Sequence, residues 1–189
     1  MESGISNLNN LPYEKKHIIK TTIPDTYKGV YQRDNPNAGK LYGLDAVAQI
    51  KKSTVPISAF ISEPIVGCAG QVPLPKGYLN EVYPAIRAQG GICISDEVQT
   101  GFGRIGDHFW GFEASNVIPD MVILGKPIAN GHPMGVVVCT EEIAASFEKG
   151  VEFFSSFGGN PVSCAIATAV LDVIEEEGLQ ENAKIVGEY

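Results

Sequence analysis

The sequence predicts an α/β fold, a mostly parallel sheet flanked by helices. Four short runs are apolar almost throughout: I-S-A-F-I-S (57–62), I-C-I-S (92–95), M-V-I-L (121–124) and V-V-V-C (136–139). Strands of that composition are buried on both faces, the habit of parallel sheets. Stretches with helical spacing of apolar residues alternate with them. Charged residues follow three of the runs at the same relative position, and the carboxyl ends of such strands are where ligands gather.

Residues 1–40 are polar and rich in Asn, Pro, Lys and Tyr, which predicts a connector that packs on the remainder, residues 41–189. Leu41, Leu44, Val47, Ala48 and Ile50 space an amphipathic helix over 41–52. The run 57–62 is a strand ended by Glu63-Pro64. Pro64, Gly67, Gly70, Pro73, Pro75 and Gly77 make 64–77 a loop. Tyr78, Leu79, Val82, Tyr83 and Ile86 share one face of a helix over 78–89. That helix must tolerate Pro84 or kink there, and Gly90-Gly91 stops it. The strands 92–95, 121–124 and 136–139 follow, then a short helix over 141–147. Asn160-Pro161 opens a long helix running to about Glu177, with proline at an early helical position, and Gly178 ends it.

A chain of 189 residues is enough for one sizeable core. With 44% hydrophobic and 19% charged residues it reads as globular rather than disordered. The net charge of −8 and the lack of a basic run argue against nucleic acid as a partner. No apolar run approaches the length of a membrane span. Cys68, Cys93, Cys139 and Cys164 form no C-x-x-C, and His17, His108 and His132 are scattered. Free thiols in a reducing compartment and no metal site are expected. M-E-S-G-I-S-N-L-N-N has neither a basic n-region nor an apolar h-region, so the expected location is cytoplasmic.

Glu63, Asp96 and Lys126 leave three strands together. Charges beside buried strands are costly unless paired or used. A structural lysine–carboxylate ion pair fits this pattern, and so does a working site. In a site, a lysine between Gly125 and Pro127 could attack a carbonyl. A carboxylate could then hold a heteroaromatic nitrogen protonated, the pairing that pyridoxal phosphate needs to act as an electron sink.

Gly101, Gly103 and Gly106 match G-x-G-x-x-G, but the context opposes a dinucleotide turn. D-E-V-Q-T separates them from the strand, and Asp96, Glu97 and Asp107 would repel a pyrophosphate. A tight loop anchored by Arg104 is the expectation. In S-S-F-G-G-N-P (155–161), hydroxyls and backbone N–H groups could meet a phosphate. Taken alone, a turn with an N-cap at Asn160 is favoured.

Four blocks in order, S-E-P-I-V-G-C-A-G, I-S-D-E-V-Q-T-G-F-G-R-I-G, P-D-M-V-I-L-G-K-P-I-A-N-G-H-P-M-G and S-F-G-G-N-P-V-S-C-A, resemble the class III (ω-type) family of pyridoxal-phosphate-dependent aminotransferases. The wording around the lysine is most similar to the branch containing alanine–glyoxylate aminotransferase 2 and ethanolamine-phosphate phospho-lyase. The resemblance implies a fold-type I large domain that binds pyridoxal 5′-phosphate and works on a small amine and an oxo substrate as a homodimer. It implies that Lys126 carries the cofactor as an aldimine and shuttles the proton. It implies Asp96 on the pyridine nitrogen, Val98 on the ring face and Gln99 near the phenolic oxygen. Glu63 would lie on the substrate side. Ser156 would reach the neighbouring subunit's cofactor phosphate, in a place where the family usually has threonine. Elimination of phosphate from a phosphorylated amino alcohol would use the same residues. Residues 41–189 are expected to form the central part of the large domain, without its amino-terminal segment and small domain. Such a chain is expected to bind cofactor weakly, and a catalytically incomplete fragment is the non-enzymatic alternative.

Overall fold

The computed structural model describes residues 18–189; the connector expectation before Ile18, with His17, lies outside them. Helix α1 (Ala38–Ile50) starts three residues before the spacing predicts. The segment ahead of it is tied down through Tyr42, whose hydroxyl donates to the Asp25 carbonyl (2.8 Å) and accepts from the Tyr31 N–H (3.1 Å). Next come β1 (Ala59–Ser62), the two-residue strands β2 (Ile65–Val66) and β3 (Val72–Pro73), and α2 (Tyr78–Arg87). Then follow β4 (Ile92–Asp96), β5 (Met121–Leu124), β6 (Val136–Cys139), α3 (Glu141–Glu148), α4 (Pro161–Glu176) and α5 (Leu179–Gly187).

The main sheet has the order β1-β4-β5-β6. The pairs β1–β4 and β4–β5 are parallel, and β5–β6 is antiparallel. The mostly parallel sheet is therefore present, with one reversed edge strand. The loop expected over 64–77 contains an antiparallel ribbon of β2 and β3. Strands this short, set among Pro and Gly, leave no alternation to read. The long helix ends as expected, but Gly178 (φ +62°) is also the N-cap of α5.

The core lies between α1, α2 and one face of the sheet. Tyr42, Ala46, Ile50, Tyr78, Leu79, Val82, Tyr83, Ile86 and Cys93 form it. The helices approach closely because α1 presents glycine: a Cβ on Gly43 would fall 2.8 Å from Glu81 Cβ and 2.9 Å from the Tyr78 carbonyl oxygen of α2. Pro84 is accommodated inside α2. Alternation along β4 sends Cys93 and Ser95 toward α2, and Ile92, Ile94 and Asp96 to the opposite face. Register adds Ile61 and Val137 to that opposite face, and both are more than half exposed. Burial on both faces, expected from the apolar runs, is thus incomplete among the described residues: the second face is partly buried on β4 and β5 and open on β1 and β6. Apolar strand surface stands open there.

Asp120 locks β4 to β5. Its carboxylate accepts the Cys93 N–H (2.7 Å) and pairs with Arg87 (3.0 Å), while its own N–H donates to the Cys93 carbonyl (2.7 Å).

Burial pushes the Cys93 thiol from 9.0 up to about 12. Stability gained by burying the neutral thiol is intact below about pH 9 and is lost as pH rises toward about 12. Alkylation at pH 8 should label the exposed Cys68 and Cys164 rapidly and spare Cys93. Peptide mass mapping checks this; rapid modification of Cys93 in the folded chain would contradict it.

Candidate active site at the carboxyl ends of the strands

The parallel register sets Asp96, at the end of β4, opposite Ile123 of β5. Two residues beyond Ile123 the chain leaves β5 through Gly125, and Lys126 begins a single 3-10 turn, Lys126–Ala129. A Cβ on Gly125 would lie 3.6 Å from both methyls of Val98. Val98 therefore packs on the backbone just before the lysine. Asp96 is half-buried, and its Oδ1 accepts the Val98 N–H (3.1 Å). Among the described residues no other hydrogen bond reaches the Asp96 carboxylate, so Oδ2 is free to accept one.

Glu63 and Gln99 meet over Gly67. The Gly67 N–H donates to Glu63 Oε2 (3.0 Å). A Cβ on Gly67 would stand 2.5 Å from Gln99 Nε2 and 3.2 Å from Glu63 Oε2. Glycine is required there because the two side chains close over it. Two clusters thus form at the ends of adjacent strands, Asp96–Val98–Gly125–Lys126 and Glu63–Gly67–Gln99, joined through the continuous run Asp96–Gln99.

The lysine is exposed and takes part in no salt bridge among the described residues. The structural ion pair with Glu63 or Asp96, one of the two options left by sequence, is not formed. Lys126 also sits at φ +48°, a left-handed conformation that costs energy for a residue with a Cβ. Ser156 lies in the exposed stretch 151–159 and makes no hydrogen bond within the described residues. This chain does not bring it to either cluster.

Sequence reading missed the role of Glu97, which is 2% exposed. Its carboxylate accepts four hydrogen bonds: from the Ser95 hydroxyl (3.0 Å), the Thr100 hydroxyl (2.6 Å), the Gly111 N–H (2.8 Å) and the Phe112 N–H (2.9 Å). Its own N–H donates to the Ile123 carbonyl (2.9 Å). A buried carboxylate needs such a set of donors. By alternation, Glu97 points to the helix side and directs its neighbours Asp96 and Val98 the other way. The signal available in sequence was the Asp-Glu doublet itself, since adjacent strand residues cannot both face the site.

The loop 101–106 is tight, as expected, but Arg104 does not anchor it. Arg104 is exposed and makes no hydrogen bond or ion pair among the described residues. Helix α5 anchors the loop instead: Gln180 Nε2 donates to the Gly106 carbonyl (2.9 Å), and Lys184 pairs with Asp107 (3.3 Å). A Cβ on Gly106 (φ +78°) would lie 2.7 Å from Lys184 Cα. Gly103 and Gly106 face Gln180 and Lys184 of α5, and Gly101 faces Trp110, so all three glycines serve packing. Asn160 caps α4, its Oδ1 accepting the Ser163 N–H (2.9 Å).

The set suits a pyridine cofactor. It offers an unpaired amine, a half-buried carboxylate with a free oxygen, an aliphatic wall on glycine backbone and an amide side chain beside them. The chain matches the family model for class-III aminotransferases over residues 6–189. It is 50% identical over 180 residues to an alanine–glyoxylate aminotransferase 2-like protein of Drosophila melanogaster, covering 92% of this chain and 36% of that protein. It is 56% identical over 133 residues to the human mitochondrial alanine–glyoxylate aminotransferase 2, covering 70% and 26%. Among solved structures it superimposes on a phospholyase from Arthrobacter in complex with phosphoethanolamine. That match has a TM-score of 0.81 and 40% identity, over 92% of this chain and 42% of that one. The fold is that of the fold-type I pyridoxal-phosphate-dependent transferases. The chain spans about a quarter to a third of the length of these curated relatives. The human relative is mitochondrial by name, which overturns the expectation of a cytoplasmic location. That expectation rested on the first ten residues, and these carry no information about location when relatives are so much longer.

Replacing Glu97 with Ala should destabilise the chain by about 3–5 kcal/mol, because the two buried N–H groups and two hydroxyls lose their acceptor. Glu97→Gln should cost less but still show a loss, since its NH₂ would face a backbone donor. Urea unfolding measures both, and a Glu97→Ala loss under about 1 kcal/mol would contradict the assignment.

Proposed function

The chain belongs to the class-III aminotransferase family, and on that premise we propose that it holds pyridoxal 5′-phosphate at the ends of β4 and β5. There it supports transfer of an amino group from a small donor to an oxo acid or aldehyde. The observation that carries this reading is that Asp96, Val98 and an unpaired Lys126 leave the adjacent ends of β4 and β5, with Val98 hydrogen-bonded to Asp96 and packed on Gly125, the residue before the lysine.

The bound cofactor would supply an electron sink for the pair of electrons left when the substrate Cα loses its proton. The residues do the rest. Asp96, with Oδ1 held by the Val98 N–H, would use Oδ2 to hold the ring nitrogen and keep it protonated. Val98, seated on Gly125, would wall one face of the ring. Gln99 would hydrogen-bond beside the ring, and Glu63 would bound the substrate side. Lys126 Nζ would be the point of covalent attachment and, once freed, would act as general base toward the proton on substrate Cα. Its exposure lets an incoming amine displace it.

Ser156 would serve the phosphate in a homodimer. An exposed apolar surface supports that assembly: Val151, Phe153, Phe154 and Phe157 around Ser156 are each more than 70% exposed. A second reading, elimination of phosphate from a phosphorylated amino alcohol, is supported by the likeness to the Arthrobacter phospholyase. It calls on the same residues, with phosphate leaving from Cβ.

Mixing the chain with pyridoxal 5′-phosphate, reducing with borohydride and mapping the adduct should place the cofactor on Lys126. Lys126→Ala should abolish trapping. Asp96→Asn should slow conversion of an amino donor by about a hundredfold or more. Oxo product without inorganic phosphate marks transamination, and phosphate release from phosphoethanolamine marks the second reading. An adduct spread over surface lysines, with Lys126 unmodified, would refute the site. Sedimentation should show a dimer, and Phe153→Ser with Phe157→Ser should shift it toward monomer.

A further inference from the structure

The G-H-P that follows the lysine turn carries a side chain with no role in the site described above. His132 Nε2 and Ser163 Oγ share a hydrogen bond of 2.7 Å. Ser163, on the first turn of α4, is 8% exposed. Its hydroxyl also accepts from Asn160 Nδ2 (2.8 Å). The second Nδ2 proton goes to the Phe157 carbonyl (2.8 Å), and Asn160 Oδ1 takes the Ser163 N–H (2.9 Å). Asn160 is thereby fully used. An unbroken line of hydrogen bonds runs from His132 through Ser163 and Asn160 to Phe157, the residue next to Ser156.

The other end of that line is under strain. Lys126 (φ +48°) and Asn130 (φ +45°) bracket the turn, both in left-handed conformations. Strained backbone persists where its surroundings over-determine it. Buried Ile128 and Ala129 supply part of that constraint. The only side-chain hydrogen bond from the 126–132 turn to α4 among the described residues is that of His132.

We propose that His132 is a positioning residue that, through Ser163 and Asn160, fixes the lysine turn relative to the hydroxyl-bearing segment ahead of α4. Its functional consequence rests on the reading above, in which Lys126 and Ser156 contact the ring and phosphate ends of a cofactor. If Ser156 serves the neighbouring subunit, the line connects the two sites of the dimer.

The test uses the 189-residue chain without cofactor. Hydrogen exchange is followed at the Asn130 and His132 amides on one side and the Ser163 and Cys164 amides on the other. His132→Phe keeps ring volume and deletes the bond; Ser163→Ala deletes it from the other side. Each should speed exchange about tenfold at both segments. The double variant should be no worse than either single, and His132→Gln, with its amide at the reach of Nε2, should restore protection. Effects confined to the substituted segment, additive effects, or no rescue by glutamine would overturn the proposal. Should His132→Phe fail to fold, Ser163→Ala with the same four amides decides alone.

With cofactor, His132→Phe should weaken pyridoxal 5′-phosphate several-fold more than pyridoxal, which has no phosphate; equal weakening of both would overturn the coupling. Failure of the unsubstituted chain to take up either compound would sink the cofactor reading and leave the exchange result to stand by itself.

Discussion

The Glu97 carboxylate is buried and receives four hydrogen bonds from three stretches of chain. Removing any stretch leaves a charge or a donor unsatisfied in a medium where each is expensive. The end of β4, the turn at Thr100 and the loop at Gly111–Phe112 are therefore fixed relative to one another. Asp96, Val98 and Gln99 flank this pinned residue within two positions, and they inherit its rigidity. The site is built as a by-product of satisfying one carboxylate on the opposite side of the strand.

That division of labour follows from the period of a strand. Cys93, Ser95 and Glu97 face the helices, where burial and hydrogen bonding hold the sheet. Ile92, Ile94 and Asp96 face the other way. The register with β5 sets Asp96 opposite Ile123, three residues before Lys126, and among the described residues no ion pair joins the two. Lys126, unpaired among the described residues and at φ +48°, opens a turn whose Ile128 and Ala129 are buried. The uncovered apolar face and the exposed phenylalanines near Ser156 are the other half of the arrangement. They are surfaces that one copy of the described residues leaves open.

The strands were legible in sequence because each is a short apolar run, and the charges that follow three of them named Glu63, Asp96 and Lys126. The antiparallel direction of β6 could also have been read. Only residues 125–135 lie between β5 and β6, fewer than a parallel crossover needs. The anchor of the 101–106 loop was not legible, since Gln180 lies 74 residues from Gly106 and nothing local announces it. Arg104 was the nearest charge, and proximity misled. The role of Glu97 was hidden for a similar reason, with two of its donors 14 and 15 residues away. The ribbon at 65–73 escaped because two-residue strands carry no period.

The central claim is that Asp96 and Lys126 converge on one pyridine ring. The ¹⁵N chemical shift of the ring nitrogen of labelled pyridoxal 5′-phosphate bound to the chain tests it most directly. In the unsubstituted chain the nitrogen should report as protonated at neutral pH, and in Asp96→Asn as unprotonated. The same signal in both proteins would contradict the account, because the carboxylate would then not be touching the ring.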